Sequence, residues 1–356
     1  MAQPARALPV ALTCGEPAGI GPEIAAKARA ALGAELPFFW IGDPAHLPEG
    51  TAFQVITQPD QAAAVPAGKL PVLAHLFQGP VLPGQPDPAH AADVIAVIAR
   101  AVGLVQQGRA LAVCTAPISK KALKDGAGFA FPGHTEYLAA LAGVTRVVMM
   151  LACPALRVVP ATIHIPLGEV ATALTEELLE DTLRLTWAGL RCDFGIAQPR
   201  LAVAGLNPHA GEGGAMGREE IAMIRPLLER LRREGMTIAG PMPADTMFHA
   251  AARARYDAAI CMYHDQALIP VKTIDFAGGV NLTLGLPFVR TSPDHGTAFD
   301  IAGQGIADAT SLVAALRLAR QMAAARAATA EPVGGAPSAP LVGHFRRGEG
   351  AGNGDD

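Results

Sequence analysis

A chain of 356 residues, 51% of them hydrophobic, is long enough to bury a sizeable core without disulfide or metal staples. Its 28 basic and 32 acidic residues give a net charge of −4, and no basic stripe with interleaved aromatic residues occurs, which argues against nucleic acid as a partner. No uncharged apolar stretch of about 18 residues occurs, so we expect no membrane span and no signal peptide. The five cysteines form no Cys-x-x-Cys pair, so we expect reduced thiols without a disulfide framework, as in a cytoplasmic protein.

Apolar strands and amphipathic helices alternate along most of the chain. Strands are expected over residues 8–13, 37–42, 111–116, 146–152, 157–163, 200–206, 256–263 and 280–286. Helices are expected over residues 89–107, 175–191, 217–234 and 308–329, the third with a kink at Pro226. The length suggests one large domain or two intimate lobes, and the alternation predicts an α/β fold with a largely parallel sheet covered by helices. Residues 331–356, rich in Gly, Pro and Ala, predict a flexible tail.

Three of the predicted strands run directly into a histidine. His164 follows "RVVPATI", His209 follows "RLAVAGLNP" and His264 follows "YDAAICMY". Because the crevice of an open α/β sheet lies beyond the carboxyl ends of its strands, these imidazoles are placed to meet at one point. Three neutral imidazoles that leave positions open for substrate make a catalytic metal site, and nitrogen ligands favour zinc, cobalt or nickel over calcium. The alternative is that each histidine only caps its strand end by hydrogen bonding.

Two further groups of polar residues predict an anion site. Lys272, Asn281 and Arg290 place two cations and an amide in an otherwise apolar stretch, which suits a phosphate or a carboxylate. The alternative is that the cations pair with nearby aspartates: Asp275, Asp294 or Asp300. His134 and Thr135, in "FPGHTEYLAA", stand at the start of a predicted helix, whose free N–H groups also suit an anion. Here the alternative is an ordinary helix cap by Thr135.

The glycine-rich stretch "LPVALTCGEPAGIGPEIAAKA" orders a strand, a turn and a helix. Its glycines stand at positions 15, 19 and 21, and Ile24 occupies the place of the third glycine of the dinucleotide fingerprint, so that fingerprint fails. The turn and the helix N-terminus behind it still suit an anion. No ribose-reading acidic residue follows a fingerprint, so the stretch does not choose between NAD and NADP.

With these motifs the chain resembles the 4-hydroxythreonine-4-phosphate dehydrogenases of pyridoxal phosphate (vitamin B6) biosynthesis. The resemblance covers roughly residues 8–325, and its matching stretches include "GEPAGIGPE", "TAPISKKAL", "GHTEYLA", "LNPHAGEGGAMGREE", "PADTMF", "YHDQALIPVKTIDF" and "GGVNLTLGLPFVRTSPDHGTAFDIAGQG". The chain departs from the family's usual residues at Glu16, where Asp is common, and at Ala116 and Ser119, where Gly and Asn are common.

The resemblance implies a fold like that of isocitrate and isopropylmalate dehydrogenases, in which residues 1–330 form two intimate α/β lobes, with largely parallel sheets covered by helices and the cleft between the lobes. It also implies a homodimer that uses NAD or NADP and a divalent metal, zinc, cobalt or magnesium. The implied metal ligands are His164, His209 and His264, drawn from both subunits. His164 precedes the helix-bearing middle of the chain and the other two follow it, so we expect His164 and His264 to serve a site from opposite subunits. The implied substrate-binding residues are His134, Thr135, Lys272, Asn281 and Arg290.

The implied reaction is oxidation of the C3 hydroxyl of 4-phosphooxy-L-threonine, followed by decarboxylation to 3-amino-2-oxopropyl phosphate. Asp245 of "PADTMF" and Asp265 beside His264 are the candidate bases. Related dehydrogenases act on phosphorylated threonate or erythronate, or on dihydrodiols, and these substrates remain alternatives. Two other classes stay open: a metal-dependent lyase or hydrolase that uses no nicotinamide, and a non-catalytic protein that binds a phosphorylated metabolite.

Overall fold

Twelve strands form one continuous sheet in residues 8–330, the part of the chain that the computed structural model describes. The strands are β1 Val10–Thr13, β2 Phe38–Gly42, β3 Phe53–Ile56, β4 Leu70–Ala74, β5 Val113–Thr115, β6 Val148–Cys153, β7 Leu156–Pro160, β8 Arg200–Ala204, β9 Thr237–Met242, β10 Ala258–Cys261, β11 Val280–Leu284 and β12 Arg290–Pro293. Their order is β3-β4-β2-β1-β5-β12-β11-β6-β7-β10-β8-β9.

The sheet contains two parallel blocks joined by antiparallel strands. The block β3-β4-β2-β1-β5-β12 is parallel throughout, and so is the block β7-β10-β8-β9. Between them, β11 and β6 make the antiparallel pairs. Strands such as β2, in which all five residues are buried, are continuously apolar because helices cover both faces of a parallel sheet. The predicted α/β class with a largely parallel sheet is confirmed, and the division into two lobes stays a prediction.

Ten α-helices accompany the sheet in the described part of the chain. They are α1 Gly21–Leu32, α2 Ala91–Gln106, α3 Lys120–Ala127, α4 His134–Ala142, α5 Val170–Ala173, α6 Glu176–Phe194, α7 Arg225–Arg233, α8 Ala250–Arg253, α9 His264–Ile274 and α10 Thr310–Ala330. The helix predicted over 217–234 is divided: a π-helical turn, Glu220–Ile224, leads directly into α7. Pro226 is the second residue of α7, so the change from π-helix to α-helix falls beside the proline for which the kink was predicted.

One helical stretch, Pro88–Gln106, is apolar and long enough to cross a membrane by composition alone, with a mean hydropathy of 1.5. In the fold, 44% of it is buried, and α2 packs against β1 and β5. A helix that covers a parallel sheet needs such an apolar face. All five cysteines are free thiols, four of them buried and Cys192 exposed. The predicted tail, residues 331–356, lies outside the described part of the chain.

Candidate active site

The three histidines that follow predicted strands belong to neighbouring parallel strands. β10 pairs with β7 on one side and with β8 on the other, both in parallel. The carboxyl ends of the three strands therefore open at one edge of the sheet. His164 follows β7, His209 follows β8, and His264 is the first residue of α9, just after β10.

His164 and His264 face each other at this edge. Their ring centroids lie 5.6 Å apart, with an angle of 42° between the ring planes. His164 is exposed and has a left-handed backbone (φ 51°), a strained conformation that is typical of functional sites. Partial desolvation of the ring lowers the pKa of His164, and the nearby Lys120 and His264 lower it further, which favours the neutral, metal-ligating form. In one chain β7 and β10 are adjacent, which favours a site that takes both histidines from the same subunit over the opposite-subunit arrangement expected from the sequence.

Asp265 lies against the ring of His264. Its Oδ1 is 2.7 Å from Nδ1 of His264, and its side chain is 70% exposed. An Nδ1–H that donates to a carboxylate leaves the Nε2 lone pair of the imidazole free to bind a metal. Asp245, in the one-turn helix Ala244–Thr246, is also exposed. Of the two candidate bases, Asp265 is the one that contacts a histidine of the pair.

His209 stands apart from this pair. It lies in the loop after β8, its side chain is 63% exposed, and its Nδ1 is 3.4 Å from a carboxylate oxygen of Glu212. Within residues 8–330, no three histidine, cysteine, aspartate or glutamate side chains of the one chain lie close enough to hold a metal ion. One chain therefore brings together two of the three predicted ligands.

A cavity of about 210 Å³ lies beside the histidine pair. Its wall includes His134 and Thr135 at the start of α4, Asn281 on β11, Arg290 on β12, and His164. These are four of the five predicted substrate-binding residues together with one predicted metal ligand. The alternative considered for Thr135, an ordinary helix cap, does not occur, because α4 begins at His134 and its N-cap is Gly133.

Four buried polar atoms on the residues of this cavity have no hydrogen-bond partner in the described protein. They are Nε2 of His134, Oδ1 of Asn281, Nε of Arg290 and Nε2 of His295. A buried polar atom without a partner costs about 1–3 kcal/mol, so four on one small cavity point to a polar ligand. A ligand with several oxygen atoms, such as a phosphate or a carboxylate, suits the Arg290 donor.

The guanidinium of Arg290 is held in place by two threonines. It donates to Oγ1 of Thr115 at 2.7 Å and to Oγ1 of Thr283 at 3.2 Å. Burial lowers the pKa of Arg290 to about 10, so the group is still charged at neutral pH. Burial also lowers the pKa of His134 well below its usual range, and Arg290 and Lys120 add to that shift. The cavity thus combines a fixed cation with a neutral imidazole.

Lys272 does not line the cavity. Its Nζ lies 2.5 Å from Oδ2 of Asp294 and 5.3 Å from the ring centre of Phe276, so the pairing with Asp294 considered from the sequence is present. The lysine in the cavity wall is Lys120, which the sequence analysis missed, together with Glu136. The available signal was the position of Lys120 a few residues beyond the strand that ends at Thr115.

The three departures from the family's usual residues have local structural roles. Glu16 is buried and its Oε1 accepts the N–H of Ala18 at 3.2 Å, and burial raises the pKa of Glu16. Ala116 packs so closely that a Cβ on Gly15 would meet its Cβ at 2.9 Å. Ser119 caps α3 by accepting the N–H of Ala122 at 3.2 Å.

A larger cavity of about 690 Å³ lies beside the glycine-rich turn that precedes α1. Its wall includes Gly19 from that turn, Asp43 and His46 after β2, and residues 303–305. Cofactor sites have this order of size and combine close backbone approach with a few polar groups. A backbone hydrogen bond joins the glycine-rich turn to the wall of the smaller cavity. The N–H of Glu16 donates to the carbonyl of Pro117, which lines that cavity.

Comparison with known proteins gives a consistent set of relatives. Residues 35–319 match the family model of the pyridoxal phosphate biosynthetic protein PdxA. The chain is 66% identical over 324 residues to a 4-hydroxythreonine-4-phosphate dehydrogenase of Paracoccus denitrificans, covering 90% of this chain and 99% of that protein. The crystal structure of a 4-hydroxythreonine-4-phosphate dehydrogenase from Klebsiella pneumoniae matches with a TM-score of 0.81 and 38% identity, covering 89% of this chain and 100% of that one.

A more distant solved structure has a different named substrate. It is a terephthalate 1,2-cis-dihydrodiol dehydrogenase from Burkholderia xenovorans, with a TM-score of 0.62 and 32% identity, covering 89% of this chain and 98% of that one. The fold, the polar cavity and these relatives together define the chain as an α/β dehydrogenase. The chain belongs to the family of the pyridoxal phosphate biosynthetic protein PdxA.

Proposed function

We propose that this dehydrogenase oxidises 4-phosphooxy-L-threonine at its C3 hydroxyl with NAD or NADP, and that the product loses CO2 to give 3-amino-2-oxopropyl phosphate. The name of the Paracoccus relative supports the substrate class. The observation that carries the proposal is the cavity in which buried atoms of His134, Asn281 and Arg290 lack partners beside the imidazole of His164. A small phosphorylated hydroxy acid offers oxygen atoms to all of these groups.

A divalent metal fits the exposed imidazoles. His164 and His264 would contribute two nitrogen ligands, with Asp265 orienting the second ring. Imidazole nitrogen favours zinc or cobalt over magnesium among the metals considered. Such a metal supplies Lewis-acid chemistry, which lowers the pKa of a bound hydroxyl group. A third ligand, His209, would come from the second subunit, because one chain holds His209 apart from the pair.

A homodimer with shared sites follows from this ligand set. Exposed apolar side chains stand close in sequence to two of the histidines: Met216 follows the His209 loop, and Ile269 and Phe276 lie on or just after α9. Large apolar side chains at 45%, 62% and 79% exposure suit burial against a partner. An isologous interface that covers them would complete two metal sites at once.

The chain's own residues have distinct proposed tasks. Arg290, fixed by its two threonines, would pair with the phosphate or carboxylate of the substrate. Neutral His134 would hydrogen-bond a substrate oxygen, and Lys120 would add a second positive charge at the cavity wall. Lys272 would reach the substrate anion only if it left its ion pair with Asp294. Asp265 or Asp245 would accept the hydroxyl proton, as a carboxylate general base does.

The cavity of about 690 Å³ is the proposed place of the nicotinamide cofactor. Its size and its glycine-lined wall fit a dinucleotide. The cofactor supplies the hydride acceptor, and the protein supplies the position and the electrostatic field. The cytoplasm, where NAD and NADP are available, is the proposed location.

A turnover panel tests the proposed function. The panel contains 4-phosphooxy-L-threonine, phosphorylated threonate and erythronate, and an aromatic cis-dihydrodiol, each with NAD and with NADP. The dihydrodiol is included because of the Burkholderia relative. Reduced nicotinamide should form with 4-phosphooxy-L-threonine at the highest kcat/KM. Higher kcat/KM for another substrate would reassign the enzyme within the family. Substrate consumption without reduced nicotinamide would indicate a lyase or hydrolase.

A further inference from the structure

The loop that carries His209 folds as a left-handed turn. Residues 209–213 all have positive φ, between 40° and 78°. A left-handed conformation costs a residue with a Cβ about 1–2 kcal/mol, and three of these five residues, His209, Ala210 and Glu212, are not glycine. A turn with this much strain needs specific contacts to hold it.

Glu220 supplies those contacts from the start of the π-helical turn. It is 1% exposed, which is rare for a glutamate. Its Oε1 accepts the backbone N–H of Asn207 at 2.8 Å, and its Oε2 accepts the side-chain amide of Asn207 at 3.0 Å. The same amide also donates to Glu219 at 2.7 Å. Asn207 is the residue from which the left-handed turn departs, so Glu220 fixes its origin.

The backbone of the loop closes around the same carboxylate. A Cβ on Gly205 would lie 3.0 Å from Oε1 of Glu220, and a Cβ on Gly211 would lie 2.7 Å from Oε2. Gly211 is also left-handed, with φ 78°. Because both neighbours are glycine, the buried carboxylate fits between the end of β8 and the middle of the turn. It therefore contacts the loop on both sides of His209.

We infer that Glu220 is a positioning residue for His209. Its carboxylate holds the left-handed turn in the arrangement that presents the His209 imidazole to solvent, where a second copy of the chain brings His164 and His264. Glu220 acts through Asn207 and the loop backbone. The inference rests on the proposed role of His209 as a metal ligand.

The test is Glu220→Gln in the full-length protein, with zinc alone as the probe. Glutamine keeps the size of the side chain, but its NH2 group then faces a donor of Asn207, so the support of the turn is lost. We expect zinc affinity, measured by competition with a chromophoric chelator, to fall about 10-fold or more, as for other residues that support a metal ligand. Glu229→Gln, at an exposed carboxylate on α7, is the matched control and should bind zinc as wild type does.

A rescue variant separates positioning from general stability. Ala210→Gly removes a strained non-glycine residue from the turn, since glycine adopts positive φ without steric cost. Added to Glu220→Gln, it should restore part of the zinc affinity. If Glu220→Gln fails to fold, Asn207→Ala removes the same amide hydrogen bond and carries the same expectation.

His209→Ala distinguishes the two ways in which the idea can fail. Wild-type zinc affinity in His209→Ala would overturn the ligand role of His209, and the positioning inference with it. Loss of zinc in His209→Ala with wild-type affinity in a folded Glu220→Gln would overturn the positioning role alone. A Glu220→Gln protein that melts at a lower temperature but binds zinc normally would make Glu220 a structural residue and would equally reject the inference.

Discussion

The imidazole rings of His164 and His264 lie 5.6 Å apart, centroid to centroid, although the two residues follow different strands. The neighbouring positions of β7 and β10 in the sheet produce this approach. An imidazole pair at this distance could supply two of the four ligands of a tetrahedral shell, or two of the six of an octahedral one. The predictions about metal binding start from this pair.

His164→Ala, His209→Ala and His264→Ala should each lose bound metal and most activity while keeping the fold. Each variant removes one of three nitrogen ligands, and all three histidines are exposed or half-buried, so little core packing is lost. Elemental analysis after dialysis, with circular dichroism as the check on folding, measures the effect. Full metal content in any two of the variants would reject the triad.

Arg290→Gln should lower kcat/KM for the phosphorylated substrate far more than for its dephosphorylated analogue. Glutamine keeps a polar side chain but removes the buried charge, together with the guanidinium nitrogens that donate to Thr115 and Thr283. A hydrogen bond to a charged group contributes about 1.5–3 kcal/mol, so kcat/KM for 4-phosphooxy-L-threonine should fall by roughly 10- to 100-fold. Lys272→Gln is the control and should have a smaller effect, because Lys272 pairs with Asp294 outside the cavity. Equal losses of kcat/KM for both substrates in Arg290→Gln would mean that the guanidinium binds the substrate carboxylate or has only a structural role.

The sequence predicted eight of the twelve strands in residues 8–330 and missed four, of which β4 is apolar and buried like those that were predicted. β3 and β9 are the edge strands of the sheet, where most residues are not buried, so their apolar pattern is weak. β12 reads "RTSP" and yet is fully buried, because Arg290 and Ser292 line the cavity. Polar residues that serve a site therefore interrupt the apolar pattern by which their strand would be predicted.

The positions of the site histidines at the ends of strands were predictable from the sequence. The directions in which individual side chains point were not. The strand-end position of His164 and His264 follows from the sheet rule, and the structure brings them together. Sequence spacing could not reveal that Lys272 turns to Asp294 while Lys120 reaches the cavity. It also could not reveal the left-handed turn at His209, since non-glycine residues rarely adopt that conformation.

The stability of the protein should fall as the pH is lowered below about 6.5. Burial holds the pKa of folded His134 well below the ordinary histidine value of 6.5, so the unfolded chain binds a proton there before the folded chain does. The stability that neutral His134 provides is therefore complete above pH 6.5 and is lost as the pH falls. His134→Gln should flatten the decline in melting temperature between pH of about 7 and about 5. The decline should not vanish, because burial also lowers the pKa of His46 and His164.

The control for this pH experiment is His249→Gln, at an exposed histidine. It should leave the pH dependence of the melting temperature unchanged. Identical slopes for wild type and His134→Gln would mean that His134 titrates in the folded protein as it does in the unfolded chain.

Removal of residues 331–356 should leave melting temperature and turnover nearly unchanged. The prediction rests on composition, because this segment carries few large apolar groups to bury. Truncation after Ala330 ends the chain at the last residue of α10. A melting temperature lower by several degrees would show instead that the segment docks on the body of the protein.

Mixing inactive variants should reveal how the metal ligands divide between subunits. If His164 and His264 come from one chain and His209 from its partner, a mixed dimer of His164→Ala and His209→Ala has one site that lacks both ligands and one that lacks neither. Random pairing of equal amounts then restores as much as about a quarter of wild-type activity. Mixing His164→Ala with His264→Ala is the matched control and should restore nothing, because each site takes both histidines from one chain. Recovery in the second mixture but not the first, with subunit exchange shown by mass labelling, would contradict the division that the 5.6 Å pair predicts.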